Sequence, residues 1–257
     1  MVVDLVASKR DLIQKLLKGI ETGDAAAADV VDEEKYIQHN PQTHEGSEGL
    51  AALFARLSKT NPRITFTRVF EDGDFAFAHN EYDFSSLRVA FEVFRFEDSK
   101  AVEHWDNIQP MMGPNPSGRS MLDGATEITD LDKTTANRNL AREYAERVLV
   151  RRQFGLLDTY IDDGLVQHNP DLADGVAAYR AYLEVSENGA FRIQYHKIHR
   201  VLAEGNFVLC MSEGYRGRVH SSFYDLFRVA DNKIVEHWDT IEVIAPRSEW
   251  KNENGKF

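Results

Sequence analysis

Glu103-His104-Trp105-Asp106 occurs a second time in this sequence as Glu236-His237-Trp238-Asp239, and Tyr36-Ile37-Gln38-His39-Asn40-Pro41 recurs as Leu165-Val166-Gln167-His168-Asn169-Pro170. The offset is 133 residues for the first motif and 129 for the second, a difference that fits loop insertions. The chain therefore contains one domain twice. A repeated core needs only a repeated apolar pattern, whereas these motifs also repeat His, Asn, Glu and Asp, which are residue types that functional sites use.

The length of 257 residues accommodates two domains of about 125 residues, each large enough to bury a core of its own. We predict a first domain at residues 1–112, a linker at 113–132 and a second domain at 133–257. The linker is rich in Gly and Pro and lacks periodicity, which is typical of a connecting segment. The duplication predicts an intramolecular pseudo-dimer, and the chain could also form a homodimer.

The net charge of −12 argues against nucleic acid as a partner, because the chain would repel a phosphate backbone and no basic cluster offsets the charge. No apolar run approaches the 18 residues of a membrane span, and Met1-Val2-Val3-Asp4-Leu5-Val6 lacks the basic start and cleavage site of a signal peptide. We therefore expect a cytoplasmic protein without a membrane partner. The single cysteine, Cys210, excludes an intramolecular disulfide and a cysteine-based metal cluster.

Each half opens with helical spacing and then changes to a period of two. The opening helices are predicted by apolar residues at helical spacing, which are Leu12, Leu16 and Ile20 in the first half and Leu140, Tyr144 and Val148 in the second. Alternating residues on both sides of Asp72-Gly73 predict a hairpin, and Glu204-Gly205-Asn206 predicts another. This order predicts an α+β fold with two tandem cone-shaped α+β barrels, each a curved antiparallel sheet with helices packed on its concave face.

These elements resemble the SnoaL-like branch of the nuclear-transport-factor-2-like superfamily, in a tandem form. The resemblance covers both halves, and the Phe-Arg hairpins at Phe94-Arg95-Phe96 and Phe227-Arg228-Val229 carry it together with the repeated motifs. It implies a curved sheet around a deep apolar pocket. Members of the family include polyketide cyclases that promote intramolecular aldol closure, epoxide hydrolases, ketosteroid isomerases and binding proteins without activity, so the fold alone does not determine the function.

A strand with the sequence Glu-His-Trp-Asp directs His and Asp to one face and Glu and Trp to the other. If His and Asp face the pocket, burial raises the pKa of the aspartate and the imidazole lowers it, which gives an acid/base group near neutrality. The alternative is that the tryptophan belongs to the core while His and Asp lie on a wet face. The acid/base candidates are His104, Asp106, His237 and Asp239, and the candidate substrate contacts beside them are Trp105 and Trp238.

The two copies differ shortly after the repeated tryptophan. Many polyketide cyclase relatives have an acidic residue there, whereas this chain has Gln109 in the first copy and Glu242 in the second. The resemblance therefore makes the second half the better candidate for an active site, with Glu242 as a catalytic candidate. The alternative is that Glu242 is a solvated residue at the end of a strand.

The Gln-His-Asn-Pro stretches lie at a turn, where Asn and Pro ordinarily serve backbone geometry. Turn geometry does not explain the repeated Gln-His, and a histidine at a pocket mouth could orient a carboxylate or donate to an enolate oxygen. A structural, hydrogen-bonded histidine is the alternative. The catalytic candidates here are His39 and His168, and the substrate-binding candidates are Gln38, Asn40, Gln167 and Asn169.

His79 shares a strand face with Phe75 and Phe77 and is a further candidate for substrate binding, although a lone histidine is more often structural. A metal site built from His39, His79, His104 and Asp106 is chemically possible, but these spacings match no recognised ligand motif. We therefore expect no metal and no cofactor.

Three functions remain open for the whole chain. The first is a cofactor-independent acid/base enzyme acting on a small, largely apolar carbonyl compound, by aldol-type cyclisation or isomerisation. The second is a non-catalytic binding protein for a small hydrophobic ligand, and the third is a scaffold in which duplication replaces a homodimer. The sequence favours the enzyme, because both copies repeat polar residues that a core does not require.

Overall fold

The structure is a computed structural model that describes residues 7–187 and 189–257. The N-terminal stretch from which a cytoplasmic location is expected lies outside the described residues. None of the helices in the described ranges combines the length and the apolar character that crossing a membrane requires.

The chain divides into two compact units. The first comprises residues 7–106 together with Ala245–Phe257, and the second comprises Asn107–Ile244. The predicted ranges differ from this division at both boundaries. The structure assigns residues 113–132, which we call the linker segment, to the second unit, and Ala245–Phe257, which we call the C-terminal segment, to the first.

The first unit contains two helices and five strands, which are α1 (Lys9–Thr22), β1 (Ile37–Gln38), α2 (Gly46–Leu57), β2 (Arg63–Asp72), β3 (Phe75–Asp83), β4 (Leu87–Glu97) and β5 (Lys100–Pro110). Helix α1 begins with a capping box, in which Ser8 and Asp11 each accept from the other's backbone N–H. It ends at Gly23, whose φ of 71° is in the left-handed region that glycine tolerates best. The predicted opening helix is thus confirmed, with its apolar face buried.

The sheet of the first unit has the order β1-β5-β4-β3-β2. Strands β2, β3 and β4 pair antiparallel, and Gly73 has a φ of 57° in the tight turn between β2 and β3. The short strand β1 instead pairs parallel to β5, so the sheet is mixed and not purely antiparallel as expected. This pairing matters for the site because it places Gln38 beside His104.

The second unit repeats this order with longer strands. Its elements are α3 (Thr134–Tyr144), α4 (Leu157–Tyr160), β6 (Ile161–Gln167), α5 (Val176–Glu184), β7 (Ser186–Glu187), β8 (Ala190–Phe191), β9 (Ile193–Glu204), β10 (Phe207–Arg216), β11 (Val219–Ala230) and β12 (Lys233–Val243). The five-stranded sheet has the order β6-β12-β11-β10-β9, and β6 pairs parallel to β12. Helix α3 continues into a wider helical turn over Ala145–Val150. The core of the unit includes Tyr144, Tyr179, Tyr195 and Phe227.

Both faces of β12 are covered. Every residue from Glu236 to Thr240 is buried, although a sheet with one wet face would expose alternate positions. The core side chains cover one face. The linker segment covers the other, where Trp238 Nε1 donates to the carbonyl oxygen of Asp123 at 2.8 Å.

Candidate functional site

The alternation of β12 places His237 and Asp239 on the face that contacts the core. The imidazole of His237 stacks on Phe227 with ring centroids 5.0 Å apart and lies 5.5 Å from the ring of Tyr179 on α5. Trp238 points to the opposite face. Of the two orientations that the sequence left open, the structure therefore shows the one in which His and Asp face the apolar interior.

Five polar side chains meet there in what we call the second-unit cluster, which consists of Gln167, Asn169, Asp225, His237 and Asp239. His237 Nδ1 lies 2.9 Å from Gln167 Oε1, and His237 Nε2 lies 2.9 Å from Asp225 Oδ1. Asn169 Nδ2 donates to Asp239 Oδ2 at 2.7 Å. The parallel strand β6 supplies Gln167, and Asn169 lies two residues beyond its end. Strands β11 and β12 supply the other three residues.

The hydrogen-bond network fixes the orientation of the His237 ring. Gln167 Oε1 also accepts from the backbone N–H groups of His168 and Asn169, at 3.1 and 3.2 Å, so this atom is the amide oxygen. His237 Nδ1 must therefore carry a hydrogen and donate to it. Nε2 faces Asp225 Oδ1, which accepts from the hydroxyl of Tyr195 at 3.0 Å. His237 is thus held on both sides.

Asp239 is buried, and its carboxyl has a pKa close to neutral pH. Burial raises the pKa of Asp239 to about 6, the charge on Asp225 acts in the same direction, and His237 opposes it. An acid with this pKa exchanges its proton readily at physiological pH.

The second-unit cluster contains polar atoms whose hydrogen-bonding capacity the described protein does not use. Buried and without a hydrogen-bond partner are Gln167 Nε2, Asp225 Oδ2, Asp239 Oδ1 and the nearby Tyr182 Oη. Such atoms are rare in folded proteins because each one costs desolvation free energy without compensation. Their concentration around one carboxylate indicates a place where a ligand completes the bonding.

The first unit has an equivalent set of side chains, the first-unit cluster, which consists of Gln38, Asn40, Glu92, His104 and Asp106. His104 Nδ1 lies 2.8 Å from Gln38 Oε1, and His104 Nε2 lies 2.6 Å from Glu92 Oε2. The hydroxyl of Tyr82 donates to Glu92 Oε1 at 2.6 Å. Asn40 Nδ2 donates to Asp106 Oδ2, as Asn169 does to Asp239. The tyrosine that donates to the acid, however, comes from β3 here and from β9 in the second unit.

The C-terminal segment changes the electrostatics of the first-unit cluster. Lys256 Nζ lies 3.1 Å from Asp106 Oδ1, and both side chains are almost completely buried, with exposed fractions of 4% and 3%. Burial acts to raise the pKa of Asp106, but the charges on Lys256 and His104 outweigh it and hold this pKa below its ordinary value. Asp106 is therefore ionised and both of its oxygens are bound, whereas Asp239 titrates near pH 6 and one of its oxygens has no partner.

The other repeated histidines lie on the opposite face of each sheet, contrary to the expectation of a pocket role. His39 stacks on Trp105 at 4.9 Å, and His168 stacks on Trp238 at 4.7 Å. His168 Nε2 bonds to Glu236 at 3.0 Å and its Nδ1 lies 2.8 Å from the Ser120 carbonyl oxygen of the linker segment. His39 makes the matching contacts, with Glu103 and with the Gly255 carbonyl oxygen of the C-terminal segment. These four aromatic residues therefore hold the covering segments.

Two further candidates also lie outside the clusters. The carboxylate of Glu242 accepts from the backbone N–H of Ile108 at 3.2 Å. Glu242 follows Trp238 by four residues on the same strand, so both side chains lie on the same face. His79 stacks on Phe91 at 4.3 Å, and its Nδ1 lies 3.1 Å from Arg68. Neither residue belongs to the acid/base cluster of its unit. The metal set of His39, His79, His104 and Asp106 is likewise not assembled.

Each cluster does offer another donor set for a cation. Glu92, His104 and Asp106 have ligand atoms within 4.8 Å of one another, as do Asp225, His237 and Asp239. One imidazole and two carboxylates are compatible with a divalent ion. The expectation of no metal and no cofactor therefore stays a prediction.

Surface cavities occur away from the clusters. One of about 470 Å³ lies between the start of α1 and the turn from β4 to β5, and one of about 160 Å³ lies beside α2. Neither is lined by a cluster residue. The second-unit cluster itself is enclosed by the tyrosine-rich core.

Sequence reasoning missed the acids that pair with the histidines and the lysine that binds Asp106. Glu92 and Asp225 are separated by the same 133 residues as the Glu-His-Trp-Asp motifs, and this repeated acidity was the available signal. The repeat did not point to Lys256, because the linker segment contains no lysine that could be its counterpart. The basic residue there, Arg119, pairs with Asp174 at 2.7 Å.

Comparisons with known proteins agree with this architecture. The profile of the SnoaL-like domain matches the chain twice, at residues 13–104 and 141–237. The chain belongs to the SnoaL-like domain family. Both matches end at the histidine of the Glu-His-Trp-Asp motif, so they include His104 and His237, while Asp106 and Asp239 lie two residues beyond their ends.

Solved structures similar to single SnoaL-like copies of this chain include three proteins. TsrD from Streptomyces laurentii is 22% identical and covers 40% of this chain and 92% of its own, with a TM-score of 0.34. An LEH-like epoxide hydrolase from M. tuberculosis is 23% identical over 43% and 85%, with a TM-score of 0.35. An NTF2-like protein from Cytophaga hutchinsonii is 17% identical over 42% and 96%, with a TM-score of 0.37. Among curated protein sequences, none matches this chain significantly.

Proposed function

We propose that the second unit is a cofactor-independent acid/base enzyme that acts on a small, largely apolar carbonyl compound. The observation that carries this proposal is the state of Asp239, a buried carboxyl with a pKa near 6 and one oxygen without a partner. Perturbed carboxyls of this kind are common in active sites. Membership of the SnoaL-like family supports a small-molecule substrate.

The chemistry begins with the carboxylate form of Asp239. Its Oδ1 removes a proton from the carbon next to the substrate carbonyl, and the C–H bonding pair becomes the π bond of an enolate. The negative charge on the enolate oxygen is stabilised by buried donors with free capacity, for which Gln167 Nε2 and Tyr182 Oη are the candidates. In an isomerisation, Asp239 returns the proton to another carbon. In an aldol closure, the enolate carbon attacks a second carbonyl, and Asp239 gives the proton to the new alkoxide.

His237 and Asp225 act through Asp239 in this scheme. The imidazole is fixed between Gln167 and Asp225, and it lowers the pKa of Asp239, which burial and Asp225 raise. A mobile imidazole would let that pKa drift away from neutrality. We therefore assign His237 and Asp225 as positioning residues and Asp239 as the catalytic residue.

The first unit is proposed as the non-catalytic copy. The side chain of Lys256 occupies the place beside Asp106 that a substrate would need, and Asn40 binds the other oxygen of the carboxylate. Gln38 Nε2 also has a partner, the hydroxyl of Tyr36 at 3.3 Å. The second copy has Leu165 in place of Tyr36, which leaves Gln167 Nε2 without an equivalent bond.

The alternative is a binding protein for a small hydrophobic ligand at the same place. The observation that favours it is the aromatic composition of the enclosure, to which Tyr144, Tyr179, Tyr195 and Phe223 contribute. Such a wall binds an apolar molecule without any chemistry.

Hydrogen–deuterium exchange at carbon distinguishes the two functions without knowledge of the natural substrate. A panel of small ketones is incubated with the protein in D2O, and deuterium incorporation at the α carbon is followed by proton NMR. The enzyme proposal expects exchange by the wild type and a loss of about 100-fold or more in Asp239→Asn, because general base catalysis contributes about that factor.

Asp106→Asn is the matched control, since it makes the same chemical change in the copy proposed as inactive. Its exchange rate per folded molecule is expected to equal that of the wild type, with folding checked by circular dichroism. Equal exchange by wild type and Asp239→Asn would refute the proposal. Ketone binding without exchange in any variant would select the binding protein.

A further inference from the structure

The two clusters differ in one charged group. In the first, the primary ammonium of Lys256 binds Asp106 Oδ1 at 3.1 Å, while Asn40 binds the other oxygen. In the second, Asn169 binds Asp239 Oδ2, and Oδ1 has no partner. The bonds from the histidine to the glutamine and to the acid recur in both clusters. The first-unit cluster is thus bound to an ammonium group. In the second-unit cluster, no described residue makes the equivalent bond to Asp239.

The charged groups around Asp239 do not replace the ammonium. Arg216 is the guanidinium that influences Asp239, but its Nη2 pairs with Asp171 at 3.1 Å on the partly exposed rim. Among the described residues, no lysine or arginine forms an ion pair with Asp239. Asp225 and Asp239 therefore lie together beside the imidazole of His237.

The carboxylates of Asp225 and Asp239 fit an ammonium in number and spacing. Ligand atoms of Asp225 and Asp239 lie within 4.8 Å of each other, a distance that one nitrogen can bridge with two N–H···O bonds of about 2.8 Å. Asp225 Oδ2 and Asp239 Oδ1 are both buried acceptors without a partner. The hydroxyl of Tyr182, close enough for Asp239 to influence it, is a further free acceptor.

From this contrast we infer that the second-unit cluster binds a ligand through a primary ammonium group, which contacts Asp239 as Lys256 contacts Asp106. The inference deepens the proposed function and rests on it for the reaction, because it narrows the substrate class to small carbonyl compounds that carry an amine. In the first unit, Lys256 then occupies the position that the ammonium of the ligand takes in the second unit.

An ammonium bound to one lone pair of Asp239 Oδ1 leaves the second lone pair of this oxygen to remove the proton from carbon. At Asp106, Lys256 is the main cause of a pKa below the ordinary value, against the effect of burial. A ligand ammonium acts on Asp239 in the same direction and generates the carboxylate, which is the form that removes a proton from carbon. An uncharged ligand of the same shape leaves the carboxyl largely protonated below pH 6.

The pH dependence of this binding follows from the groups that face Asp239. Ammonium binding is expected to weaken as pH falls below about 6, because Asp239 takes up a proton and loses its charge. The groups that face it are His237 on β12, Asp225 on β11, Arg216 on β10, Tyr195 on β9 and Tyr182 on α5.

The test uses simple probes with the full chain. Calorimetric titration compares n-butylammonium with n-butanol, a neutral analogue of similar shape, and with tetramethylammonium, a cation without N–H donors. We expect n-butylammonium to bind once per chain and at least tenfold more tightly than either control. Asp239→Asn is expected to weaken this binding at least tenfold, whereas Asp106→Asn leaves the affinity of the second unit unchanged.

Lys256→Ala supplies a second, independent measurement. Removal of the lysine side chain leaves the first-unit cluster without its ammonium, so n-butylammonium is expected to bind twice per chain and to raise the stability of the variant. If this variant does not fold, the comparison of wild type, Asp239→Asn and n-butanol still decides. Equal affinity for n-butanol, or no effect of Asp239→Asn, overturns the inference.

Magnesium and zinc titrations separate an ammonium site from a metal site. Tight binding of either ion, lost in Asp239→Asn, together with no binding of n-butylammonium, also overturns the inference. The deuterium-exchange assay distinguishes this failure from failure of the proposed function. Deuterium exchange into ketones without binding of n-butylammonium rejects only the inference of an ammonium site. Binding of n-butylammonium without deuterium exchange into ketones or aminoketones rejects only the proposal of an enzyme.

Discussion

Asp106 and Asp239 show how one residue type acquires two states in equivalent surroundings. Both are buried, both accept from an asparagine amide, and both follow a histidine by two positions. The ammonium of Lys256 makes the difference, because it holds the pKa of Asp106 low, whereas burial raises the pKa of Asp239 to about 6. A carboxylate without a cation nearby is the less stable arrangement in an apolar interior.

The same substitution at the two aspartates is therefore expected to have opposite effects on stability. The folded-state pKa of Asp239 lies above the ordinary 3.8, so its favourable contribution is complete below that pH and is lost as pH rises through about 6. Asp239→Asn removes this loss and should increase the free energy of unfolding by about 2–3 kcal/mol above pH 7. Urea denaturation between about pH 4 and pH 8 measures the effect.

Asp106→Asn is expected to destabilise the protein. The folded-state pKa of Asp106 is lowered, so its contribution is present above the ordinary value and disappears as pH falls through the folded-state pKa. Loss of the carboxylate also leaves the buried ammonium of Lys256 without its partner, which costs about 3–5 kcal/mol. A destabilising effect of the same size in Asp239→Asn would show that the two carboxyls are equivalent.

Sequence reasoning was most informative on the repeated strand, whose catalytic roles stay predictions. Strand alternation separated His104 and Asp106 from Trp105, and only the structure could show which face is apolar. The pocket roles expected for His39 and His168 do not agree with the structure. Both histidines stack on the tryptophans of the opposite strand face, which is buried by the covering segments and not by the core. Lys256 is 150 residues away from Asp106 in the sequence, and no local pattern predicts that contact.

At the level of elements, each sheet is covered on its outer face by a segment that binds the repeated histidine. Asn254 Nδ2 in the C-terminal segment donates to the carbonyl oxygen of Gln38 at 3.0 Å, and Asn115 Nδ2 in the linker segment donates to that of Gln167 at 2.6 Å. Each segment belongs to the unit that it covers.

His168 is expected to serve stability and not the reaction. His168→Asn removes the stacking on Trp238 and the bond to the buried carboxylate of Glu236, so the free energy of unfolding should fall by about 2–3 kcal/mol. Deuterium exchange per folded molecule should remain at the wild-type rate, because His168 lies on the face away from Asp239. A large loss of exchange in a folded variant would return His168 to the active site.

Lys256→Met tests the C-terminal segment as a structural element. It leaves Asp106 charged and buried, so a loss of about 3 kcal/mol is expected at neutral pH, with a smaller loss in acid where Asp106 is protonated. Arg119→Met is the matched control in the linker segment. Its pair with Asp174 is about one-third exposed, so we expect a change below about 1 kcal/mol in urea denaturation.

The elements were predictable where their signals are local. Alternating strands and Asp-Gly or Gly-Asn turns predicted the hairpins, and the structure confirms them. The parallel edge strand β1 was not predicted because it has two residues and no pattern of its own. The assignment of residues 113–132 to the second unit depends on tertiary hydrogen bonds such as that of Asn115, which composition does not reveal.

For the whole molecule, we propose that one copy carries the acid/base chemistry, while the polar atoms of the cluster in the other copy are bonded by the chain itself. A double variant, Asp106→Asn with Asp239→Asn, should therefore exchange deuterium at the same residual rate as Asp239→Asn alone. A further drop in the double variant, measured per folded molecule, would mean that the first unit also contributes turnover. The cytoplasmic location and a homodimer of the chain stay predictions.

The states of the two aspartates can be read directly by carbon-13 NMR of the carboxyl groups in the full chain, with Asp106→Asn and Asp239→Asn to assign the signals. We predict that Asp239 titrates near pH 6 and that Asp106 titrates below its ordinary value of 3.8. Titration of both carboxyls at the same pH, or of Asp239 below pH 4, would contradict the division of the duplicated chain into one reactive and one internally bonded site.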